Sequence, residues 1–194
     1  HGTEQISVIG LGTSVVGEHS VQNVVETVTF ALDSGVNYID LAGGHAAIFP
    51  GIGEALAGRR KDAYLQLHFG ADYTSGEYGW SPTLDGVKTS VAWQLEQLKT
   101  DYIDFGFMHC LDEISDLEDY ERNGILRYLL ELKAQGVVKH IGLSTHAPKL
   151  ASRVLDMGIL DMMMFSINPM YDYGHGEFSI GSASERYSLY TRCE

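Results

Sequence analysis

The fold is decided by residues 102–144, which contain the segment YIDFGFMH at 102–109, ILRYLLELKAQG at 125–136 and VKHIGLS at 138–144. The two outer segments are strand-sized and mostly apolar, as expected for parallel strands buried on both faces. The middle segment repeats apolar residues on one helical face and ends at Gly136, a typical helix stop. This order of strand, helix and strand predicts a parallel sheet covered by helices.

The same alternation continues on both sides of this region. A polar loop at 70–80 is expected before one of the helices, for which Ser81 and Pro82 supply an N-cap and a first helical residue. We predict further strands at 6–12, 36–41, 63–69 and 162–167, and further helices at 21–32, 52–56, 84–98 and 182–192.

Two architectures have this alternation: an open doubly wound sheet and a closed (β/α)₈ barrel. A dinucleotide-binding doubly wound sheet needs the pattern G-x-G-x-x-G after its first strand. Here Gly10 and Gly12 supply two of the glycines, but Val15 occupies the third position. The incomplete motif favours the barrel.

The length of the chain predicts that this barrel is incomplete. A whole barrel takes about 250 residues, whereas this chain has 194. We therefore expect a (β/α)₈ TIM barrel domain at residues 1–194 with about six of its eight strand–helix units, whose C-terminal units are missing through truncation or proteolysis or are replaced by a partner chain that covers the gap. Because an open sheet exposes unpaired strand edges, a homo-oligomer that covers the open edge is a further expectation.

Composition restricts the class of protein and its partners. The chain is 44% hydrophobic and 20% charged, which is ordinary for a globular domain. Its net charge of −13 disfavours nucleic acid and anionic membrane surfaces as partners. No apolar run approaches the ~20 residues that span a bilayer, and the start has no secretory signal pattern. The cysteines, Cys110 and Cys193, have no disulfide or metal-type spacing and predict a cytoplasmic protein.

The expected chemistry lies where the strands end. In a parallel barrel these ends meet at one mouth, which is the usual place of an active site. Asp40 ends the second strand, His45 follows it, and His68 and His109 end the third and fourth strands. Since four polar side chains of related chemistry fall at equivalent positions, we predict a functional site formed by these residues.

Several segments resemble the aldo/keto reductase family. Residues 10–13 resemble its G-x-G-T opening, and residues 38–40 resemble its F-I-D strand ending. Residues 101–109 are similar to D-Y-I-D-L-x-x-x-H, and residues 136–144 to G-K-I-R-x-I-G-x-S. Two further segments, 109–113 and 165–169, look closest to the bacterial and archaeal branch that usually carries a C-terminal ferredoxin-like domain with a 4Fe–4S cluster. That domain would lie beyond Glu194.

The resemblance implies reduction of a small carbonyl substrate by NADPH, with a tyrosine as proton donor assisted by a lysine, an aspartate and a histidine. By position, the aspartate is Asp40 and the histidine is His109. The tyrosine position holds His45 and the lysine position holds His68, so the usual tyrosine and lysine are replaced.

Histidine can replace them as an acid, because its ordinary pKa of about 6.5 suits proton donation near neutral pH. We therefore hypothesise that His109 or His45 is the general acid and that Asp40 orients a neighbouring imidazole. Tyr73 and Tyr78, in the loop after the third strand, are reserve donors.

The resemblance also implies a partial binding site for NADP(H). Gly12 and Thr13 are expected near the cofactor, and Ser144 is expected to hydrogen-bond the nicotinamide carboxamide. Thr145 and Met164 occupy positions that often hold asparagine and glutamine in the family. The phosphate and adenine sites belong to units seven and eight of the family barrel.

Two other functions remain open from the sequence. Asp40, His45, His68 and His109 form a chemically reasonable ligand set for Zn²⁺ or Fe²⁺, so a metal-dependent enzyme is one alternative. A ligand-binding barrel without catalysis is the other. A stoichiometric metal would distinguish the first alternative, and ligand affinity without hydride transfer would distinguish the second.

Overall fold

The computed structural model describes residues 3–16, 20–176 and 178–193. Its strands are β1 (Leu11–Gly12), β2 (Tyr38–Asp40), β3 (Tyr64–Phe69), β4 (Ala71–Asp72), β5 (Gly79–Trp80), β6 (Ile103–Met108), β7 (Val138–Thr145) and β8 (Met162–Phe165). Its helices are α1 (Val21–Asp33), α2 (Ile48–Ala55), α3 (Leu84–Leu98), α4 (Ile114–Arg122), α5 (Ile125–Ala134), α6 (Pro148–Asp156), α7 (Pro169–Asp172) and α8 (Ala183–Cys193). A short 3₁₀ turn at Arg60–Asp62 precedes β3.

Six strands form a curled parallel sheet in the order β1-β2-β3-β6-β7-β8. The short strands β4 and β5 form an antiparallel hairpin that is attached to β3. The sheet is a half-barrel with its outer strands at β1 and β8. This confirms the predicted fold class, an incomplete (β/α)₈ barrel.

Hydrophobic packing occurs on both faces of the sheet. The outer face packs against the helices through fully buried side chains such as Leu65, Leu67 and Ile141. The inner face has its own cluster around Tyr38, Phe105 and Phe107. Gly142 faces Phe107 so closely that an added Cβ would lie 2.2 Å from the ring. Glycine on β7 therefore lets the aromatic side chain of β6 fill the barrel interior.

A buried carboxylate holds three central strands together. Asp104 on β6 accepts hydrogen bonds from Arg60 at 2.7 Å, from the backbone N–H of Leu65 on β3 at 3.0 Å, and from Lys139 on β7 at 2.9 Å. A buried charge is tolerated when it is paired and its lone pairs are satisfied. This cluster fixes the relative positions of the strands whose opposite ends form the candidate site.

Three details of the sequence-based prediction are wrong. The strand at 6–12 is reduced to Leu11–Gly12, since Val8 and Ile9 are exposed and have no face to pack against. The N-cap of α3 is Thr83, whose side chain accepts from the backbone N–H of Gly86, rather than Ser81. The expected loop at 70–80 contains the β4–β5 hairpin.

The described residues contain no helix that is both long and apolar enough to cross a membrane.

Candidate active site

Parallel strands bring three of the predicted site residues to one end of the half-barrel. Asp40 is the last residue of β2, His68 is the penultimate residue of β3, and His109 directly follows β6. The strand register places Asp40 opposite Gln66, and His68 opposite Phe107. Because side chains alternate between the two faces of a strand, these polar groups share the inner face with the aromatic cluster below them.

A continuous chain of hydrogen bonds joins four side chains at this mouth. Asp40 Oδ1 lies 2.7 Å from His68 Nε2, and His68 Nδ1 lies 2.9 Å from His109 Nδ1. His109 Nε2 lies 2.8 Å from the hydroxyl of Tyr78. Both histidines are buried, whereas Tyr78 is 47% exposed. This chain, called the relay below, connects the carboxylate of Asp40 to a phenol at the surface.

The bonds of the relay are directional because each imidazole nitrogen either donates or accepts. When both rings are neutral and His68 donates from Nε2 to Asp40, His68 Nδ1 accepts from His109 Nδ1. His109 Nε2 then accepts from the hydroxyl of Tyr78. An added proton on His68 reverses the last two bonds, and the Tyr78 hydroxyl can then donate outward. The relay therefore has two arrangements that differ by one proton.

Burial sets the protonation states of the outer half of the relay. Burial, with a smaller contribution from His68, lowers the pKa of His109 to about 3. Burial also raises the pKa of Tyr78. At neutral pH His109 is therefore uncharged and Tyr78 keeps its proton, so His109 can pass a proton on but does not store one.

The β4–β5 hairpin places aromatic side chains over His109. Trp80 lies on β5 and its ring centroid is 5.6 Å from that of His109. Tyr78, one residue before β5, contacts the same ring from another side at 5.8 Å. Tyr73, the other reserve donor of the sequence analysis, is completely buried and its hydroxyl lies 3.5 Å from the carbonyl of Leu41. Of the two tyrosines, Tyr78 is the one that reaches the mouth.

His45 lies on the rim, beside the relay. Its Nε2 is 3.5 Å from a carboxylate oxygen of Glu77, and its Nδ1 accepts from the backbone N–H of Ala47. Its side chain is 43% exposed. Among the hydrogen bonds of the described residues, none connects His45 to Asp40, His68 or His109. The structure thus joins three of the four predicted catalytic residues and places the fourth in the neighbouring loop.

Three of the predicted cofactor residues lie beside the candidate site, Gly12 and Thr13 next to β2 and Ser144 on β7. Gly12, on β1, has open space where a side chain would begin, and Thr13 donates to the backbone carbonyl of Asp40 at 2.7 Å. Ser144, near the end of β7, has only sulfur neighbours for its hydroxyl within the described residues, namely Cys110 at 3.9 Å and Met164 at 4.0 Å. These contacts are weak, so the Ser144 hydroxyl is available to a ligand.

Thr145 is engaged in a different cluster. Its hydroxyl donates to Asp112 at 3.1 Å and accepts from the backbone N–H of Ala147 at 3.0 Å. Asp112 also contacts the His146 ring at 2.8 Å. Thr145 therefore stabilises the turn between β7 and α6.

Gln66 is a site residue that the sequence analysis missed. Its amide nitrogen lies 3.0 Å from Asp40 Oδ1 and 2.9 Å from His68 Nε2, and its amide oxygen accepts from the hydroxyl of Tyr38. The strand period of two was a usable signal, because it puts Gln66 on the same face as His68.

The four proposed metal ligands do not converge on one point. Asp40, His68 and His109 direct their polar atoms at one another, and His45 is turned towards Glu77. Within the described residues there is no group of three or more His, Cys, Asp or Glu side chains arranged to hold a metal ion. The arrangement matches proton transfer better than ligation.

Comparisons with known proteins show the family of this chain. The model of the family described as "Aldo/keto reductase family" matches residues 8–170. The chain belongs to the aldo/keto reductase family. A curated relative, "Uncharacterized oxidoreductase YqkF" of Bacillus subtilis (strain 168), is 30% identical over 175 residues, which cover 84% of this chain and 53% of the relative.

Solved structures of other family members have the same fold. The holo form of the aldo-keto reductase AKR11C1 from Bacillus halodurans is 26% identical, with a TM-score of 0.68 over 84% of this chain and 54% of that one. An aldo-keto reductase from Klebsiella pneumoniae in complex with NADPH is 23% identical, with a TM-score of 0.57 over 81% of this chain and 53% of that one, and shows the fold alone. The chain spans about half the length of these family members. A 4Fe–4S domain stays a prediction.

Proposed function

We propose that this chain catalyses hydride transfer between NADP(H) and a small carbonyl or alcohol substrate, with the relay as its proton channel. The observation that carries the proposal is the continuous chain of hydrogen bonds from Asp40 to the exposed hydroxyl of Tyr78. Membership of a family of oxidoreductases supports the same reaction class. Two features of the mouth fit the cofactor and the proton transfer.

The residues at the mouth fit the nicotinamide half of the cofactor. Gly12 leaves open space on β1, and the hydroxyl of Ser144 on β7 lacks a strong partner among the described residues. Ser144 would hold the carboxamide and Gly12 would allow close approach of a ring to the strand. Met164, opposite Ser144 on β8, would supply apolar contact. When bound, NADPH supplies the hydride.

The relay would deliver the proton that the reduction requires. In its proton-loaded form, His68 is an imidazolium held by Asp40, and the hydroxyl of Tyr78 is free to donate to the developing alkoxide. As Tyr78 donates, it accepts the proton of His109 Nε2, and His109 accepts from His68 Nδ1. Asp40 keeps its contact with His68 throughout and stabilises the charged ring before transfer.

This assignment modifies the hypothesis that His109 or His45 donates the proton directly. The low pKa of His109 leaves it uncharged at neutral pH, so it acts by passing a proton between neighbours. Tyr78 has the exposed hydroxyl, and in the proton-loaded relay a hydrogen bond from His109 compensates its loss of a proton. His68 contacts Asp40 as the family lysine would, which gives the phenol a cationic partner through one intervening ring.

The test is transfer of deuterium to substrate. Purified protein is mixed with NADPH deuterated at the transferring carbon and with a panel of aldehydes and ketones, in buffer with and without a chelator. Reduced nicotinamide mononucleotide serves as a second hydride donor, because it needs only the nicotinamide half of the site. Deuterium in the alcohol product is the expected result. Binding of both donors without transfer to any carbonyl would favour the non-catalytic alternative, and activity abolished by the chelator would favour the metal enzyme.

A further inference from the structure

A pair of polar side chains on the inner face, Tyr38 and Gln66, has no part in the proton transfer as described above. Tyr38 is 8% exposed and Gln66 is completely buried. They lie on adjacent strands, β2 and β3, directly below Asp40 and His68. Burial of polar groups at this depth is unfavourable unless each one has a hydrogen-bond partner.

Tyr38 determines which way the Gln66 amide points. Burial, reinforced by Asp40, raises the pKa of Tyr38, so its hydroxyl keeps its proton and donates. The donated bond goes to the amide oxygen of Gln66. Since the oxygen is held by Tyr38, the amide NH₂ faces Asp40 Oδ1, which can accept from it.

The oriented NH₂ fixes the carboxylate that holds His68. Asp40 Oδ1 receives three donors: Gln66 Nε2 at 3.0 Å, His68 Nε2 at 2.7 Å and the backbone N–H of Ala42 at 3.2 Å. Gln66 Nε2 and His68 Nε2 lie 2.9 Å apart, and with the His68 proton on Nε2 both nitrogens donate to this oxygen. Rotation of Asp40 would break all three contacts, so the oxygen that faces His68 is held in place.

We propose that Gln66, oriented by Tyr38, is a positioning residue for the relay: it holds the Asp40 oxygen that keeps the proton of His68 on Nε2. This inference rests on the proposed function for its effect on turnover, but its structural part concerns the His68 tautomer alone. Turning the amide over would place its oxygen against Asp40 Oδ1, and two acceptors would then face each other. The bond from Tyr38 to the amide oxygen and the bond from the amide NH₂ to Asp40 both oppose this arrangement.

Three variants test the inference. Gln66→Met removes both amide contacts at similar side-chain length, and Tyr38→Phe keeps the amide but removes the hydroxyl that holds its oxygen. Tyr64→Phe is the matched control, because Tyr64 lies opposite Tyr38 on β3 and its hydroxyl contacts the backbone N–H of Gln5 rather than Gln66. A circular dichroism spectrum and a melting curve show which variants fold.

The first measurement is ¹⁵N NMR of the His68 ring in the protein without cofactor, assigned by loss of its signals in His68→Gln. We expect protonated Nε2 and unprotonated Nδ1 in the unmodified protein and in Tyr64→Phe, and mixed tautomers in Gln66→Met and Tyr38→Phe. An unchanged tautomer in both test variants would overturn the inference, whether or not the protein is a reductase. Should Gln66→Met fail to fold, Tyr38→Phe decides alone.

The second measurement is the pH profile of carbonyl reduction. A misplaced relay should lower kcat by up to about 100-fold with little change in KM, and should shift the pH profile in Gln66→Met and Tyr38→Phe but not in Tyr64→Phe. Unshifted profiles with kcat intact would overturn the positioning role while leaving the proposed function standing. If neither the unmodified protein nor any variant reduces a carbonyl but the His68 tautomer still changes, the proposed function is contradicted and the positioning of His68 by Gln66 stands.

Discussion

The Nδ1 atoms of His68 and His109 lie 2.9 Å apart, so one of the two rings must donate to the other. Neither ring can change its tautomer without a matching change in its neighbour, because both remaining nitrogens are also bonded, to Asp40 and to Tyr78. Two histidines that end adjacent strands thereby act as a single unit.

The first prediction concerns this coupling. His109→Gln keeps a polar side chain at the same place but removes the second ring, and should lower turnover by about 100-fold or more if the proton passes through it. KM for the carbonyl should change little, since His109 is covered by Tyr78 and Trp80. Steady-state kinetics measure this, and unchanged turnover would remove His109 from the proton path.

The second prediction concerns the pH dependence of stability. The folded protein lowers the pKa of His109 to about 3, whereas an unfolded chain has the ordinary value of about 6.5. Below about pH 6.5 the unfolded chain binds a proton at His109 that the folded protein does not bind. The contribution of His109 to stability is therefore fully present above this pH and is lost as the pH falls towards its folded pKa of about 3. Each pH unit in this window should reduce the free energy of unfolding by on the order of 1 kcal/mol.

Urea denaturation between about pH 7 and pH 5 isolates the loss of stability that is due to His109, because carboxylates are still mostly ionised in this range. His109→Gln should show a smaller loss of stability over the window than the unmodified protein. Parallel curves for the two proteins would mean that His109 titrates normally in the folded state.

The third prediction concerns the proton donor. Tyr78→Phe keeps the ring that covers His109 but removes the hydroxyl, and should reduce kcat by about 100-fold or more. Tyr187→Phe on α8 is the control, because Tyr187 is also an exposed tyrosine but lies on a helix outside the mouth. Equal rates for the two variants would assign proton donation to another group.

The fourth prediction concerns the outer strand β8. Arg186 on α8 is completely buried, donates to Asp172 at 2.8 Å and to the carbonyl of Ser166, and its guanidinium covers the ring of Phe165. Arg186→Ala should lower Tm by roughly 5 °C or more, since it leaves a cavity and an unpaired carbonyl.

Arg192→Ala is the matched control on the same helix. Arg192 pairs with Asp156 at 2.6 Å, but both side chains are exposed, and exposed pairs contribute little to stability. Differential scanning calorimetry of the two variants should show a clear difference, and similar melting temperatures would mean that Arg186 does not anchor the edge of the half-barrel.

The sequence predicts the central strands well, because the apolar residues of β3, β6 and β7 fall in short, strand-length segments between helical patterns. It fails at residues 6–9, where Val8 and Ile9 are apolar but exposed. It also misses the β4–β5 hairpin, since two strands of two residues each leave almost no periodic signal.

The site is predictable to the extent that it depends on strand ends. Asp40, His68 and His109 come together because parallel strands end at one edge, which the sequence reveals. The contact of Tyr78 with His109 depends on how the hairpin folds back, and the separation of His45 depends on its contact with Glu77 in the same loop region. Such contacts between loops follow from tertiary packing and have no local pattern.

The most direct test of the relay is the turnover of the double variant Tyr78→Phe with His109→Gln, compared with the two single variants. If one proton passes through both residues, the second substitution removes nothing further, and the double variant should be within about threefold of the slower single variant. Losses that multiply would show that Tyr78 and His109 act independently, and the relay would be contradicted.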